Sequence, residues 1–417
     1  MWLLRGAVGI AALLGLSWLA SERRRQVDWR VVAWGMGLQF GIAAAMLKVP
    51  VFQKILLFLN RGVGAIERAS HEGGRFVFGY LTGGQAPFEL KEGLANAPAV
   101  FIFGPLMMLI VVGAISAVLF HAGLLQKVVG LFARALHRTM GLGGAEGVAV
   151  AANVFLGQGE ASMLIKPYVG QLGRPGLLCV MTAGMTTISG SLMVVYSSML
   201  DGLMPGLVLG HLVVASIISA PAAVVVARIM IPAAPGEVDR EVPDLRSGSH
   251  GVMDALLGGA GDGAKVVVNV AVMLVAIIAL VSLCNELLGA LPLAEPLSLQ
   301  RAMGWAMAPA MWVVGLPWGE ARAAGELMGL KTVFNEFVAY AEMAKMPSGA
   351  FSEHGRLVVV YSLCGFANFS SVGILVGALS AMCPAKKAEI AALGLKSMVA
   401  GTIAGLLTGS VVGILRP

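Results

Sequence analysis

Two glutamates stand in stretches that are otherwise too apolar to carry charge. Glu160 ends the string Asn153-Val-Phe-Leu-Gly-Gln-Gly-Glu160, and Glu336 follows Asn335 in the string Asn-Glu-Phe-Val-Ala-Tyr. A carboxylate at bilayer depth costs about 2.5 to 3.5 kcal/mol on insertion scales, so each glutamate should have a partner. The pattern predicts a site for a polar ligand. The alternative is a glutamate that pairs with a buried lysine and only holds the fold.

The polar side chains near the two glutamates support the ligand-binding interpretation. Their amides and hydroxyls can be satisfied only by one another or by a polar ligand. They are Gln158 and Asn153 near the first glutamate, and Asn335, Asn368 and Ser371 near the second. Unwound backbone around Thr187 and Leu156 would also free carbonyl oxygens that suit a small hard cation. For Thr187 the alternative is a hydroxyl bonded back to its own helix.

The composition indicates which kind of protein holds these residues. Of 417 residues, 58% are hydrophobic and 12% are charged, and the mean hydropathy is +0.84. These values exclude a water-soluble core. The net charge of +6 comes from short basic clusters between apolar runs, which argues against nucleic-acid binding. The four cysteines form no C-x-x-C pair, and no G-x-S-x-G or H-E-x-x-H string is present, so we expect no disulfide, zinc site or enzyme.

Apolar runs predict an all-α polytopic membrane protein with about eight transmembrane helices. The arginine cluster follows the first run and does not precede it, so the run is predicted to be a transmembrane helix and not a signal peptide. The basic clusters should face the cytoplasm, which favours the inner membrane of a bacterium. An amphipathic helix in the membrane interface is predicted around Val51 to Ile66. The runs are Trp2 to Ala20, Val31 to Leu47, Ala99 to Phe120, Gly176 to Met199, Leu207 to Ile231, Val266 to Cys284, Leu357 to Leu379 and Ile390 to Leu415.

Two further segments are too interrupted to cross the membrane and too apolar for soluble loops. They are Gly143 to Val169 and Trp305 to Tyr340, and re-entrant hairpins satisfy both facts. About thirty residues after each hairpin tip, at Glu160 and Glu336, comes an apolar span broken by small and polar residues, at 186–191 and at 365–371. A repeated order of hairpin and broken helix is typical of inverted-repeat transporters with a site at mid-membrane.

At this point the chain resembles the concentrative nucleoside transporter (CNT) family. The resemblance runs from about Val31 to the C-terminus. Four motifs carry it in order: Asn153 to Glu160, Trp312 to Trp318 with Gly-x-Pro-Trp, Asn335 to Tyr340, and Cys364 to Ile374. The family implies secondary active import of nucleosides with sodium, a homotrimer, and an elevator mechanism. Coupling to protons is the alternative that the residues leave open.

The resemblance also implies which residues bind the substrate and the ion. Gln158, Gly159, Glu160 and Leu192 would face the nucleobase, with Phe366 against the ring. Glu336, Asn368 and Ser371 would hold the ribose hydroxyls. The sodium ligands would be Asn153, Thr187 and the carbonyls of Leu156 and Ile188. At Gly159 the family usually carries Ser or Thr, so the preferred base is open.

The same reasoning divides the chain into five parts. Residues 1–140 would hold the N-terminal spans, interfacial helices and scaffold, and residues 141–232 the first transport repeat. Residues 233–262 would form a hydrophilic loop and residues 263–300 a scaffold helix. Residues 301–417 would form the second transport repeat, with the second hairpin, the second broken helix and the last span.

Overall fold

The structure is a computed structural model that describes residues 2–83, 87–88, 100–233, 249–290, 297–347 and 349–416. These residues form helices joined by turns, and no β-strand occurs among them. The all-α fold class is therefore confirmed. Half of the predicted hydrophilic loop, at 234–248, lies outside the described residues.

The N-terminal region contains the helices α1 to α5. Their bounds are Trp2–Leu19 (α1), Trp29–Lys48 (α2), Pro50–Phe78 (α3), Met108–His121 (α4) and Leu124–Met140 (α5). The predicted interfacial helix is α3, where Phe58 is 73% exposed and Phe76 is 93% exposed. Large apolar side chains on the outside of an amphipathic helix suit a membrane surface. Helices α4 and α5 meet at an angle of 73°.

The first half of the chain then forms a hairpin, a broken helix and a long buried helix. The bounds are Gly144–Asn153 (α6), Gln158–Leu164 (α7), Arg174–Thr186 (α8), Gly190–Leu200 (α9) and Val208–Met230 (α10). The hairpin α6–α7 and the break between α8 and α9 lie where the sequence predicts them. Inside the bundle, Arg228 of α10 pairs with Glu146 of α6 at 2.7 Å, which fixes the hairpin to the long helix.

After α11 (Val252–Gly289) the same order of elements returns. Helix α11 begins earlier than predicted, because a glycine-rich stretch that reads as a loop is helical. The bounds in the second half are Leu299–Val314 (α12), Trp318–Val333 (α13), Glu336–Lys345 (α14), Glu353–Leu363 (α15), Phe369–Met382 (α16) and Lys387–Leu415 (α17). The hairpin arms are α13 and α14. The polar patch at Glu320, Arg322 and Glu326 is therefore part of α13.

Packing shows that the two halves are related as a repeat. In each half an outer helix packs on the first hairpin arm (α5 on α6, α12 on α13), and that arm packs on the first part of the broken helix (α6 on α8, α13 on α15). The second hairpin arms instead cross to the other half: α7 packs on α16, and α14 packs on α9. This reciprocal exchange buries both hairpins at the interface between the halves, where transporters of this architecture bind their substrates.

Five helices among the described residues are long and apolar enough to cross a membrane, or six if α4 and α5 form one bent span. The predicted number, about eight, included α1 and the broken pair α15–α16. Helix α1 contributes a shorter apolar segment, Leu4–Leu19, and α16 is likewise a short apolar helix. The chain is thus a multi-pass membrane protein whose number of crossings depends on how broken helices are counted.

Several basic residues meet at one end of the bundle, around Glu22 and the end of α10. The Glu22 backbone N–H donates to the Met230 carbonyl at the end of α10. The Glu22 carboxylate accepts from Arg174, at the start of α8, and from Lys396. Lys386 donates to the Leu172 carbonyl close by. The orientation of the chain in the membrane stays a prediction from the charge pattern.

Helices α4 and α11 form a pair that stands apart from the buried bundle. Gly113 of α4 faces Gly259 and Gly263 of α11 so closely that a Cβ on Gly113 would lie 2.6 Å from the Gly259 carbonyl oxygen. Small residues of this kind let two transmembrane backbones approach. Only 12% of the most apolar part of α11 is buried, against 89% of the most apolar part of α10. The close packing explains why the glycine-rich start of α11 is helical.

Candidate functional site

The N-termini of the four inner half-helices meet in the middle of the bundle. Three of them are capped by polar side chains. Ser189 Oγ accepts from Leu192 N–H at α9, Asn335 Oδ1 accepts from Val338 N–H at α14, and Asn368 Oδ1 accepts from Ser371 N–H at α16. Helix α7 starts at Gln158, after the extended Gly157. Helix N-termini present unpaired N–H groups and a partial positive charge, so the convergence creates a polar centre in an apolar bundle.

The two broken helices cross where each is unwound. Gly365 has a φ of +114°, and a Cβ there would lie 2.4 Å from the carbonyl oxygen of Thr186. Only glycine tolerates both this backbone conformation and this approach. On the other side of the crossing, the Gly190 N–H donates to the Phe155 carbonyl at the tip of the first hairpin, at 3.0 Å. The two breaks and the first tip are therefore held against one another through backbone atoms.

Glu336 is the most constrained acidic residue of this centre. It is only 4% exposed. One carboxylate oxygen accepts from the Tyr196 hydroxyl of α9 at 2.7 Å, and the other accepts from the Asn368 amide at 3.2 Å. A carboxylate has about four acceptor sites, so two hydrogen bonds leave capacity for a ligand hydroxyl. The structure thus brings Glu336 and Asn368, two of the residues expected at this tip, into direct contact.

Aromatic rings fix the Tyr196 hydroxyl in place. The ring centroid of Tyr196 lies 4.9 Å from that of Tyr340 and 5.9 Å from that of Phe337. The Tyr340 hydroxyl donates to the Val360 carbonyl at 3.0 Å, away from Glu336. Packed rings in contacts of this kind stabilise one orientation. The donor to Glu336 is thus positioned before any ligand arrives.

The other predicted residues of the second half lie around this pair. Phe366 is buried in the unwound segment between α15 and α16, and Ser371 is buried in the first turn of α16. The Asn335 amide donates to the Met273 sulfur of α11 at 3.3 Å. Thus α11, which is mostly exposed, reaches the second hairpin tip through Met273.

The first hairpin tip is less satisfied than the second. Gln158 is buried, and its Oε1 has no hydrogen-bond partner among the described residues. Glu160 lies two residues later and is exposed, whereas Leu192 of α9 is half-buried. Gly159 lies between Gln158 and Glu160 in the first turn of α7. The Gln158 oxygen is therefore available to accept a hydrogen bond from a ligand.

The predicted sodium ligands surround the end of α8. Asn153 Oδ1 is buried without a hydrogen-bond partner among the described residues, and a Cβ on Gly184 would lie 3.6 Å from it. Leu156 and Ile188 lie in non-helical backbone. The Thr187 hydroxyl donates to the Ala183 carbonyl at 2.9 Å, which is the alternative that the sequence left open. Since that bond uses its hydrogen, the Thr187 oxygen can still accept or ligate.

Sequence reasoning missed two residues of this centre. Tyr196 binds Glu336, and a single tyrosine in the apolar run of α9 was the available signal. Lys331 is fully buried, and its ammonium donates to the Ser362 carbonyl at 3.1 Å. Its position five residues before Glu336 in an apolar segment was the signal. Among the described residues the ion pairs do not include one between Lys331 and Glu336, whose carboxylate is held by Tyr196 and Asn368 instead.

Comparison with known proteins agrees with the geometry along the whole chain. Residues 211–413 match the family model described as "Na+ dependent nucleoside transporter C-terminus". Residues 8–81 match the corresponding N-terminal model, and residues 101–202 match one described as "Nucleoside recognition".

Individual proteins are similar over nearly their full lengths. Nucleoside permease NupC of Helicobacter pylori is 30% identical, with 98% of this chain and 96% of the permease covered. Uncharacterized transporter YutK of Bacillus subtilis is 33% identical over 99% of this chain and all of that protein. The structure of CNTnw in an inward-facing, substrate-bound state matches with a TM-score of 0.91 at 31% identity, covering both chains completely. Because these relatives are transporters and permeases, this chain is a transporter and not an enzyme, and it belongs to the concentrative, Na+-dependent nucleoside transporter family.

Proposed function

We propose that this protein is a secondary active transporter that imports nucleosides by using the sodium gradient. The observation that carries the proposal is the polar centre between the two halves. A positioned carboxylate, Glu336, lies there opposite a hairpin tip whose Gln158 acceptor has no partner among the described residues. A nucleoside offers hydroxyl donors at one end and a donor and acceptor edge at the other.

The ribose would bind to the second half. Glu336 would accept hydrogen bonds from the ribose hydroxyls while it keeps its contacts with Tyr196 and Asn368. Ser371 lies in the same helix turn as Asn368 and would supply a further hydroxyl. Phe366, in the adjacent break, would pack against the base.

The base would bind to the first half. The Gln158 carboxamide can pair with both a donor and an acceptor on a base edge, and its unsatisfied Oε1 supports this role. Glu160 and Leu192 would line the same side. Gly159 offers no hydroxyl, so selection among bases would rest on Gln158 and Glu160.

Residues at the end of α8 would hold the coupling ion. The unsatisfied Asn153 Oδ1 and the carbonyls of Leu156 and Ile188 in unwound backbone are hard oxygen donors, as sodium requires. Thr187 Oγ would complete the set. The sodium gradient supplies the driving energy when the ion is bound. A Cβ on Gly184 would lie 3.2 Å from Gln158 Cβ and 3.6 Å from Asn153 Oδ1, so both residues lie beside the same turn of α8, and ordering the ion ligands would also order the base-binding tip.

Assembly and location follow the family. The protein would form a homotrimer in the bacterial inner membrane, with an elevator-like movement of the inner repeats. The exposed apolar helices α4 and α11 support a scaffold role, since they pack tightly on each other and leave most of α11 uncovered. The division of the chain into scaffold and transport parts remains a prediction.

Uptake by proteoliposomes tests the function directly. We would measure labelled uridine and adenosine with an inward sodium gradient, with choline in place of sodium, and with a pH gradient alone. Accumulation above equilibrium is expected only with sodium, and the ratio of the two rates would rank the bases.

The other outcomes are equally informative. Accumulation driven by a pH gradient without sodium would move the coupling to protons. No accumulation of either nucleoside under any gradient would contradict the substrate class. Equilibration without accumulation would indicate a passive channel.

A further inference from the structure

We infer that the Lys331 ammonium serves as a built-in cation of the second half. It occupies the position that corresponds, in the repeat, to the candidate sodium site of the first half. The chain would then bind a single sodium ion, because the second position already carries a positive charge. This inference rests on the proposed sodium coupling, and it concerns the residue that is equivalent to Asn153 in the repeat.

The equivalence begins with the position of the two residues on their hairpins. Asn153 lies five residues before Gln158, the first residue of α7, and Lys331 lies five residues before Glu336, the first residue of α14. Each stands in the last turn of the first hairpin arm, α6 or α13. In the repeat, Asn153 and Lys331 therefore correspond.

The two side chains also approach corresponding parts of the broken helices. Asn153 Oδ1 lies beside Gly184, in the last turn of α8. Lys331 Nζ donates to the carbonyl of Ser362, in the last turn of α15. In both halves, the end of the hairpin arm thus meets the C-terminal end of the half-helix that precedes the break.

The C-terminal ends of α8 and α15 both carry a partial negative charge. The last carbonyls of a helix are unpaired within it and carry a partial negative charge, which a cation stabilises. This stabilisation is stronger inside an apolar bundle, where water is absent and the dielectric constant is low. Both helix ends therefore favour a positive charge close by.

The residue at each position, Asn153 or Lys331, decides which positive charge lies at the helix end. Asn153 Oδ1 is a buried acceptor without a partner among the described residues, so in the first half it is available to ligate a cation from solution. Lys331 is 0% exposed and provides an ammonium of its own. An ammonium is a compact point charge with three donors, which resembles a bound monovalent ion in size and charge. A second sodium ion at this place would meet the repulsion of the lysine.

Sodium titrations of the purified protein in nanodiscs test the inference. Nucleoside binding by calorimetry and the thermal midpoint Tm would be measured against sodium, with choline holding the ionic strength constant. For the wild type we expect a Hill coefficient for sodium near one. Lys331→Asn gives the second half the amide of the first half, so its Hill coefficient should rise towards two and its Tm should depend more steeply on sodium.

Three further variants separate charge from packing. Lys331→Arg keeps the charge and should keep the Hill coefficient near one. Lys331→Met provides neither charge nor oxygen, so its nucleoside affinity should fall by more than about tenfold without recovery at high sodium. Lys345→Asn, on the exposed part of α14, is the matched control and should behave as the wild type.

The outcomes distinguish this inference from the function beneath it. If nucleoside binding and the Tm of the wild type do not depend on the sodium concentration, the sodium coupling itself is refuted. A sodium-dependent wild type with a Hill coefficient near two would overturn the built-in cation. So would Lys331→Asn and Lys331→Met variants that are equally impaired and equally unresponsive to sodium, because the lysine would then be only structural.

Discussion

The two hairpin tips have the same architecture but differ in how far their polar groups are satisfied. At the second tip, Glu336 accepts from Tyr196 and Asn368, and Asn335 caps its helix. At the first tip, the oxygen of Gln158 has no partner among the described residues, and Glu160 is exposed. One tip is complete in the protein alone, and the other is incomplete.

The difference indicates a division of labour within the repeat. A preorganised carboxylate can bind a ligand with little loss of conformational freedom, which gives affinity. A tip with unsatisfied polar groups gains the most hydrogen bonds when the ligand and the ion bind, so the tip can become ordered only when both are bound. We infer that the second half recognises the part common to all nucleosides, and that the first half couples base recognition to the ion.

The largest effect is expected from Glu336→Gln. The amide replaces one acceptor oxygen by a donor that must face the Tyr196 hydroxyl or the Asn368 amide, and it removes the charge that would hold the ribose. We expect a fall in nucleoside uptake of about hundredfold or more, from about 3 kcal/mol of lost interactions. Uptake by proteoliposomes measures this, and gel filtration should show unchanged assembly.

A matched variant on the same helix controls for the loss of charge. Glu342 is partly exposed and pairs with Lys345, so Glu342→Gln should transport as the wild type does. Uptake at the wild-type rate by the Glu336→Gln variant would disprove the ribose assignment.

A second pair of variants compares the two tips directly. Asn368→Leu removes both the cap of α16 and a donor to Glu336, so it should lower the Tm of the ligand-free protein as well as nucleoside binding. The expected loss of stability is about 1 to 2 kcal/mol. Gln158→Leu removes an acceptor that has no partner among the described residues, so it should weaken binding without lowering the ligand-free Tm. Equal losses of Tm in both variants would contradict the difference between the tips.

The sequence predicted the parts of this comparison that depend on local pattern. The hairpins and the helix breaks follow from polar residues placed at fixed intervals in apolar runs. Contacts between distant segments were out of reach, because the partners of Tyr196 and Lys331 are set by how the halves cross. The early start of α11 was also missed, since its glycines serve close packing against α4 and do not break the helix.

An effect smaller than that of Glu336→Gln is expected from Tyr196→Phe. The ring packing stays, but one oxygen of Glu336 loses its donor at 2.7 Å. A hydrogen bond to a charged group contributes about 1.5 to 3 kcal/mol, so the affinity for nucleoside should fall by about tenfold or more. Tyr340→Phe is the control: its hydroxyl donates to the Val360 carbonyl, and its loss should leave affinity unchanged. Similar affinities in the two variants would show that the Tyr196 hydroxyl does not prepare Glu336.

The smallest effect concerns Glu22, which ties both halves together at one end of the bundle. Its carboxylate accepts from Arg174 of α8 at 2.8 and 3.1 Å and from Lys396 of α17 at 2.6 Å. The Arg174 guanidinium, with Lys396, lowers the pKa of Glu22 from 4.5 to about 2. A depressed pKa stabilises the folded protein above pH 4.5, and this contribution is lost as the pH falls towards 2.

Because Glu22 is partly exposed, we expect Glu22→Gln to cost less than about 1 kcal/mol at neutral pH, and less again at high salt. Its effect on Tm should shrink as the pH is lowered from 6 to 3, as the wild type loses the same contacts by protonation. Glu72→Gln, which breaks an exposed pair with Arg75, should not change Tm. A Glu22→Gln deficit that stays constant across this range would mean that the carboxylate holds the halves together by shape and not by charge.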